Sequence, residues 1–376
     1  MARRGYDEVT LVTGFPNFRA RKMVEYLLAT EPKSLVYLVV RKALENEASA
    51  ALARLPKGER ERVVIIEGDA ASMDLGLSGA EYRTLGAEVD RVHHLAQITY
   101  PGVPRETTEA TNIGAMREVI ELGRCCTNMR SIVVHSTALV SGNREGLVLE
   151  DDLNAGQAFR TPVEETLARA ERLARSALPE LPIVVLRPTW IVGDSTTGEI
   201  ERFDGPYLLV LLLVTSPQDL PVPLPTRGDA LLHLVPIDYV VRAAHFIGRH
   251  PKAIGRTFHL ADPRPLTVRR VFELVAASGG KRLPGGFIPT RVTKALLSAP
   301  GLGLLAKSPR AFVDMLATPV RYDTRNSAEL LHDSGIVCPP FESYVDTLVA
   351  HVRGRVQERR VQSRADRFGE VEDALY

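Results

Sequence analysis

The sequence contains few of the residues that crosslink small secreted domains or build metal sites. Only three cysteines occur among its 376 residues, and two of them, Cys125 and Cys126, are adjacent. Three cysteines cannot form a disulfide framework, and none of the paired spacings of a zinc site is present. The cysteine content therefore predicts a protein of the reducing cytoplasm that holds no metal.

Long apolar runs and an excess of charge of one sign are also lacking. The longest strongly apolar run, residues 207–214, is far shorter than the roughly 20 residues that span a membrane. Lys and Arg number 47 against 46 Asp and Glu, which gives a formal net charge of +1. Balanced charge provides no general attraction to nucleic acid or anionic lipid. We therefore expect neither a membrane span nor a nucleic-acid partner.

Short apolar strands alternate with helical patterns through the first half of the chain. We predict strands at residues 8–13, 34–41, 63–67, 89–95, 131–137 and 183–187. These strands carry apolar residues on both faces, as do strands that helices cover on both sides. The alternation predicts an α/β fold, a Rossmann-like doubly wound parallel sheet.

The regular alternation ends after Pro188, where proline and glycine become frequent. We predict that residues 1–190 plus about 229–262 form a nucleotide-binding domain. Residues 191–228 plus 263–350 are expected to form a smaller, mostly helical substrate lobe, followed by a charged tail at 351–376. Within this lobe, the leucine-rich segment Leu296–Met315 suggests either a lid over a small apolar ligand or ordinary core packing.

A turn with the spacing of a dinucleotide-binding glycine motif follows the first strand. Gly14, Asn17 and Ala20 occupy its three glycine positions. Asn17 tolerates left-handed backbone geometry and caps helices well, and the following helix N-terminus attracts phosphate. The turn predicts either a weakened nucleotide site or a plain connection between strand and helix. The candidate nucleotide-binding residues of this segment are Thr13, Gly14, Phe15, Asn17 and Phe18.

Basic residues close the second predicted strand. An acidic residue at this place would bind the ribose hydroxyl of NAD, whereas a basic residue favours the 2′-phosphate of NADP. Arg41 and Lys42 stand there. We therefore predict that NADP is the cofactor, bound weakly if it is bound at all.

Several segments, taken in their order and spacing, resemble the extended short-chain dehydrogenase/reductase family. They are TGFPNF at 13–18, HLA at 94–96, HSTALVSG at 135–142, LRPTWIVG at 186–193 and HLVPIDYVVRAAHF at 233–246. The resemblance is strongest to the branch of fatty acyl-CoA reductases and thioester reductase domains, and it covers about residues 8–262. It implies a homodimer and further cofactor-binding residues at Asp69, Leu95, Ala96, Asn112 and Pro188.

The catalytic pair of that family is missing. Its reductases resemble one another in a Ser or Thr, together with a Tyr and a Lys four residues apart on one helix. The Tyr donates the proton, and the Lys lowers the pKa of the Tyr and holds the nicotinamide ribose. The matching helix here has Val163 and Leu167 at those positions, and no Tyr in the chain is followed four residues later by Lys. The hydroxyl position is kept in Thr137, beside Ser136 and His135.

Three functions are compatible with this sequence. The first is a pseudoenzyme that binds or senses a dinucleotide or a small apolar ligand. The second is a non-redox enzyme, a dehydratase, isomerase or cyclase, acting on a lipid-like or polyketide-like substrate through His135, Thr137 or a cleft carboxylate. The third is an NADP-dependent oxidoreductase of unusual mechanism. The candidate cleft residues of the second function, which are equally interpreted as loop caps, are Asp194, Glu199, Asp204 and His233.

Overall fold

A computed structural model describes residues 5–200, 224, 226–281, 286 and 309–358. The apolar run at 207–214, Asp204, most of the predicted lid and the tail beyond residue 358 lie outside the described residues. Within the described ranges, no helix is both long and apolar enough to cross a membrane.

Thirteen strands and eleven α-helices are described. The strands are β1 (Glu8–Thr13), β2 (Ser34–Val40), β3 (Val63–Glu67), β4 (Arg91–His94), β5 (Ser131–His135), β6 (Gly146–Val148), β7 (Ile183–Pro188), β8 (Trp190–Val192), β9 (Leu231–Leu232), β10 (Leu234–Pro236), β11 (Thr257–Leu260), β12 (Leu266–Thr267) and β13 (Val320–Tyr322). The helices are α1 (Phe18–Thr30), α2 (Glu45–Leu52), α3 (Lys57–Arg60), α4 (Gly79–Glu88), α5 (Arg105–Thr108), α6 (Ala115–Cys125), α7 (Pro162–Ser176), α8 (Ile237–Arg249), α9 (Val268–Ser278), α10 (Pro309–Ala317) and α11 (Arg325–Leu331). Residues 345–358 are also helical.

Seven strands form one sheet in the order β11-β7-β5-β4-β1-β2-β3. Every neighbouring pair in this sheet is parallel. Strands β1, β2, β5 and β7 are buried along their whole length, which explains why their sequences are apolar at successive positions. The predicted doubly wound α/β fold is confirmed.

Helices cover both faces of the sheet. On one face, side chains of α4, α6 and α7 pack against Val9, Leu11 and Val134 in the main apolar core. On the other face, α1 contacts α8, and α8 contacts β5 and β7. Gly248 of α8 lies so close to Val133 that a larger residue there would overlap this side chain. Since Val133 and Val134 are successive strand residues, the two helix layers lie on opposite faces.

The chain divides into two compact units. The first contains Met1–Ile191, Ile237–Pro263 and Thr318–Cys338, and the second contains Val192–Pro236, Arg264–Ala317 and Pro339–Tyr376. The second unit differs from the predicted substrate lobe because it lacks residues 318–338 and includes residues 229–236, which were predicted in the nucleotide-binding domain. Residues 318–338 return to the first unit through β13, which pairs in parallel with β6.

Two predicted strands are clearly longer than the observed ones. The fourth, predicted at residues 89–95, covers Arg91–His94, and the fifth, predicted at 131–137, covers Ser131–His135. After β4, the chain forms α5 from Arg105 and a π-helical segment at Glu109–Gly114 before α6. This π segment buries Asn112, and such segments are frequent at functional sites.

Candidate functional site

The turn after β1 is bound closely to the end of β4. The Thr13 hydroxyl oxygen accepts hydrogen bonds from the backbone N–H groups of Leu95 and Ala96 at 3.1 and 3.2 Å. Gly14 has a φ of +86°, and a Cβ at this position would overlap the carbonyl of Leu95. Only glycine therefore fits here, and the backbone retains the close approach that a dinucleotide turn requires.

Asn17 replaces the second glycine by capping the helix. Its Oδ1 accepts from the backbone N–H of Ala20 at 2.9 Å, and its Nδ2 donates to the Leu95 carbonyl at 3.0 Å. With a φ of −57°, Asn17 does not use the left-handed geometry that the sequence also allowed. The Asn17 side chain is thus engaged within the turn and with β4.

Two phenylalanines of the turn belong to the core. Phe15 and Phe18 are 4% and 5% exposed. The guanidinium of Arg21 and the ammonium of Lys22 lie over the Phe18 ring, 5.6 and 5.8 Å from its centre. Both basic side chains therefore stay close to the first turn of α1, where they add positive charge near the helix N-terminus.

The predicted NADP-selecting residues follow β2 on the surface. Arg41 and Lys42 are both exposed. Lys42 forms an ion pair with Glu67 at 3.5 Å. No ion pair of Arg41 is found within the described parts of the chain. Of the two basic residues, Arg41 is thus the more available for a phosphate.

Asp69 follows β3 in a tight turn next to the end of β2. The Gly68 N–H donates to the Val40 carbonyl at 3.0 Å, which joins the ends of the two strands. The Asp69 carboxylate accepts from the Ala71 N–H at 3.0 Å. The turn closes when the Asp69 N–H donates to the carbonyl of Leu75, a residue in the left-handed region with a φ of 58°. Asp69 therefore shapes the loop beside the ends of β2 and β3.

Asn112 links the loop after β4 to helix α7. Its Oδ1 accepts from the Ile98 N–H at 2.7 Å, and its Nδ2 donates to the Ile98 carbonyl and to the Thr166 hydroxyl at 3.1 and 3.0 Å. Asn112 is completely buried. These three bonds use its amide fully, so this residue holds the loop and α7 in place.

The three candidate catalytic residues after β5 are differently engaged. The Ser136 hydroxyl donates to the Glu171 carboxylate at 2.6 Å. The Thr137 hydroxyl oxygen accepts from the Leu139 N–H at 3.2 Å. His135 Nε2 lies 3.1 Å from Nδ1 of His93. All three are buried, and only Thr137 keeps a hydroxyl proton that no described residue accepts.

A buried ion pair lies behind Ser136. The Arg187 guanidinium donates to both carboxylate oxygens of Glu171 at 2.7–3.1 Å, and neither residue has measurable exposure. Burial acts to raise the pKa of Glu171, but the positive charges of Arg187 and Arg175 outweigh it and hold this pKa below its usual value. Glu171 therefore stays ionised. No local sequence pattern indicates this pair, because burial of a charged residue has no local signature.

Val163 and Leu167, which the family resemblance aligns with the catalytic Tyr and Lys, belong to an apolar cluster. Val163 and Leu167 are 3% and 2% exposed, and they pack with Val140, Leu153 and Ala168. Phe159 and Ile98 pack against this cluster. Both positions are therefore parts of a closed hydrophobic core, and neither presents a polar group.

A small cavity lies at the carboxyl ends of β4, β5 and β7. It holds about 10 Å³, room for about one water molecule. Leu95, His135 and Pro188 line it from the three strands, and Arg19 enters it from α1. The candidate residues of the turn predicted from sequence did not include Arg19. Met23, which also lines the cavity, follows Arg19 by four residues. This spacing places both side chains on the same face of α1, and it is the sequence feature that could have indicated the position of Arg19.

The two histidines of β4, His93 and His94, point to opposite faces of the sheet, as successive strand residues do. His93 contacts His135, whereas Nδ1 of His94 lies 3.0 Å from the Thr13 hydroxyl. Burial, and then the charge of Arg19, lowers the pKa of His94 and of His135 to about 3. Both rings are therefore neutral near pH 7. Across the described ranges, no group of three or more His, Cys, Asp or Glu residues could hold a metal.

The other predicted cleft carboxylates lie in the second unit. Asp194 accepts hydrogen bonds from the Thr196 and Thr197 N–H groups at 2.9 and 3.0 Å, as a residue capping its own turn does. Glu199 belongs to the same turn, because its carbonyl accepts from the Asp194 N–H. The loop-cap interpretation therefore fits Asp194. His233 is buried in the same unit.

The NAD-binding family described as "Male sterility protein" matches residues 12–244, more than half of the chain. The chain belongs to this family. The resemblance to the fatty acyl-CoA reductase and thioester reductase branch is thereby confirmed, and the cofactor that the family implies is a nicotinamide dinucleotide.

Relatives in sequence are reductases and multidomain synthetases. A fatty acyl-CoA reductase of Drosophila melanogaster is 23% identical over 63% of this chain and 53% of its own length. A linear gramicidin synthase of Brevibacillus parabrevis is also 23% identical, over 94% of this chain but 7% of its own length. The chain thus spans about half, or far less, of these relatives.

Solved structures of reductase domains share the fold. The terminal R domain of the myxalamid PKS-NRPS biosynthetic pathway has a TM-score of 0.78 and 25% identity, covering 93% of this chain and 92% of that one. The R domain of a nonribosomal peptide synthetase from Mycobacterium tuberculosis has a TM-score of 0.69 and 18% identity, with 92% of each chain covered.

Proposed function

We propose that this chain is a pseudoenzyme of its family, which binds or senses a nicotinamide dinucleotide, NADP in preference to NAD, without ordinary hydride transfer. The observation that carries the proposal is the apolar cluster around Val163 and Leu167, both of which are almost completely buried. An aliphatic side chain cannot give a proton to a carbonyl oxygen or hold a ribose. Loss of a catalytic acid alone typically costs a factor of about 10² to 10⁴ in rate.

The nucleotide-binding part of the site is better preserved than the catalytic part. Gly14 keeps the close turn before the N-terminus of α1, the place where a pyrophosphate binds in this kind of fold. Arg41 at the end of β2 fits the 2′-phosphate of NADP. When bound, NADPH would supply a hydride, and the residues of this chain would hold and orient the nucleotide.

The hydroxyl and imidazole groups after β5 give little support to the two enzymatic alternatives, a non-redox enzyme and an oxidoreductase of unusual mechanism. Ser136 is bonded to Glu171, and His135 is a neutral, buried ring paired with His93. Of these three residues, only Thr137 has a hydroxyl proton that no described residue accepts. A single hydroxyl group is a poor acid–base catalyst. A cytoplasmic homodimer and a small apolar ligand remain predictions from sequence.

Titration of nucleotide-free protein with NADPH and NADH, followed by calorimetry, tests the proposal. We expect micromolar binding of NADPH, weaker binding of NADH, and a loss of about tenfold or more in NADPH affinity for Arg41→Ala, since a charged hydrogen bond is removed. Arg54→Ala removes the same charge from an exposed position after α2 and is expected to bind as the wild type does.

Absence of binding up to millimolar NADPH would overturn the proposal. If Arg41→Ala and Arg54→Ala lose the same amount of NADPH affinity, Arg41 does not bind the 2′-phosphate specifically. The loss would then reflect only the change in net charge.

A further inference from the structure

Arg19 is a charged residue in a cavity that is otherwise mainly apolar. The cavity is lined by aliphatic side chains of α1 and α8, by Leu95 and Pro188, and by His135. The positive charge of Arg19 acts on both His94 and His135, since it contributes to the lowered pKa of each ring after burial. Because Arg19 lines the same cavity as Leu95 and His135, its side chain lies near the carboxyl ends of both β4 and β5.

The topology of the sheet indicates which part of a dinucleotide lies over this cavity. In doubly wound sheets the pyrophosphate lies at the N-terminus of the helix after the first strand, and the ligand crosses the carboxyl ends of the strands. If the 2′-phosphate lies at Arg41 after β2, the adenosine half occupies the β2 side of β1. The nicotinamide half then extends over β4, β5 and β7. Leu95, His135 and Pro188 stand at the ends of these three strands.

We propose that Arg19 makes this site selective for redox state, so that it binds the reduced dinucleotide NADPH and rejects oxidised NADP⁺. The inference rests on the proposed dinucleotide binding. The oxidised nicotinamide ring carries a positive charge and the reduced ring carries none, while the phosphates and the adenosine are the same in both. A guanidinium that is partly shielded from water and lies beside the ring therefore repels only the oxidised form. A sensor of this kind responds to the ratio of NADPH to NADP⁺.

Two like charges in a partly buried site repel strongly enough to change an affinity by about tenfold or more. The strand ends are poorly solvated here, because His94 and His135 are buried and the cavity is small. The repulsion is consequently screened less by salt than it would be between exposed groups.

The test compares dissociation constants of NADPH, NADP⁺ and 2′,5′-ADP, which lacks the nicotinamide half. For the wild type we expect NADPH to bind at least about tenfold more tightly than NADP⁺. Arg19→Leu should reduce this ratio to less than about threefold by removing the repulsion. Arg21→Leu is the matched control. Its guanidinium lies over Phe18, and its loss should weaken all three ligands alike without changing the ratio. Thermal melting of each variant checks that it is folded.

Equal affinities of the wild type for NADPH and NADP⁺ would overturn the inference while leaving dinucleotide binding intact. The inference also fails if the ratio of the NADPH and NADP⁺ affinities is unchanged in Arg19→Leu. It fails as well if this ratio falls by the same factor in Arg21→Leu. If neither nucleotide nor 2′,5′-ADP binds up to millimolar concentration, the proposed function itself fails, and redox selectivity fails with it.

Discussion

Glu171 and Arg187 form a completely buried ion pair between α7 and β7. Removal of one partner leaves an uncompensated charge in the core, which typically costs about 3–5 kcal/mol in the free energy of unfolding. We predict a loss of this size for Glu171→Ala. The control is Glu165→Ala on the same helix, which breaks a more exposed ion pair with Arg105 and should cost less than about 1 kcal/mol.

Urea denaturation of the two variants beside the wild type gives both values. If Glu171→Ala and Glu165→Ala lose similar amounts of the free energy of unfolding, the buried pair does not hold α7 in place. It then also does not hold the end of β5 through Ser136.

Single residues were predicted from sequence with uneven success. The capping role of Asn17 is a local property, because the cap and the N–H that it accepts from are three residues apart, and the sequence analysis included it. The position of Arg19 in a cavity depends on α8, which follows in the chain more than 200 residues later. The pairing of Ser136 with Glu171 likewise requires the packed structure. Such contacts cannot be derived from local patterns.

At the scale of elements, β4 and β5 bring neutral histidines into the core. The pKa of His135 is lowered to about 3, whereas in the unfolded chain it is about 6.5. The unfolded state therefore takes up a proton first as the pH falls, and the contribution of His135 to stability decreases below about pH 6.5. Between about pH 7 and pH 5 this loss amounts to roughly 2 kcal/mol for one such ring.

His135→Gln removes this titrating ring. We predict that the free energy of unfolding of the variant falls by roughly 2 kcal/mol less than that of the wild type over the same pH interval. Urea midpoints measured at both pH values give the comparison. If the pH dependence of the variant equals that of the wild type, His135 is not held neutral by burial and Arg19.

The elements themselves follow largely from the sequence. The longer sheet strands could be located from sequence because each forms a continuous apolar run between helical patterns, as β2 with its seven buried residues does. Strands β6 and β13 have three residues each and pair across more than 170 positions of the chain, so no period or spacing indicates them. For the same reason, the return of residues 318–338 to the first unit was not predicted.

At the scale of the whole molecule, the chain combines the fold of its family with a close turn at Gly14 and a closed apolar cluster around Val163 and Leu167. Fatty acyl-CoA thioesters, the compounds in the names of the fatty acyl-CoA reductases among the relatives, serve as test compounds. The most direct test is therefore a mixing experiment in which NADPH-loaded protein meets a panel of these compounds. The absorbance of the reduced nicotinamide is followed in time, with a functional family reductase in parallel.

We predict that bound NADPH is consumed at least about 100-fold more slowly than by the functional reductase, since the proton donor is absent. Consumption of NADPH at about 1 s⁻¹ or faster with any of these compounds, a rate typical of working enzymes, would contradict the account.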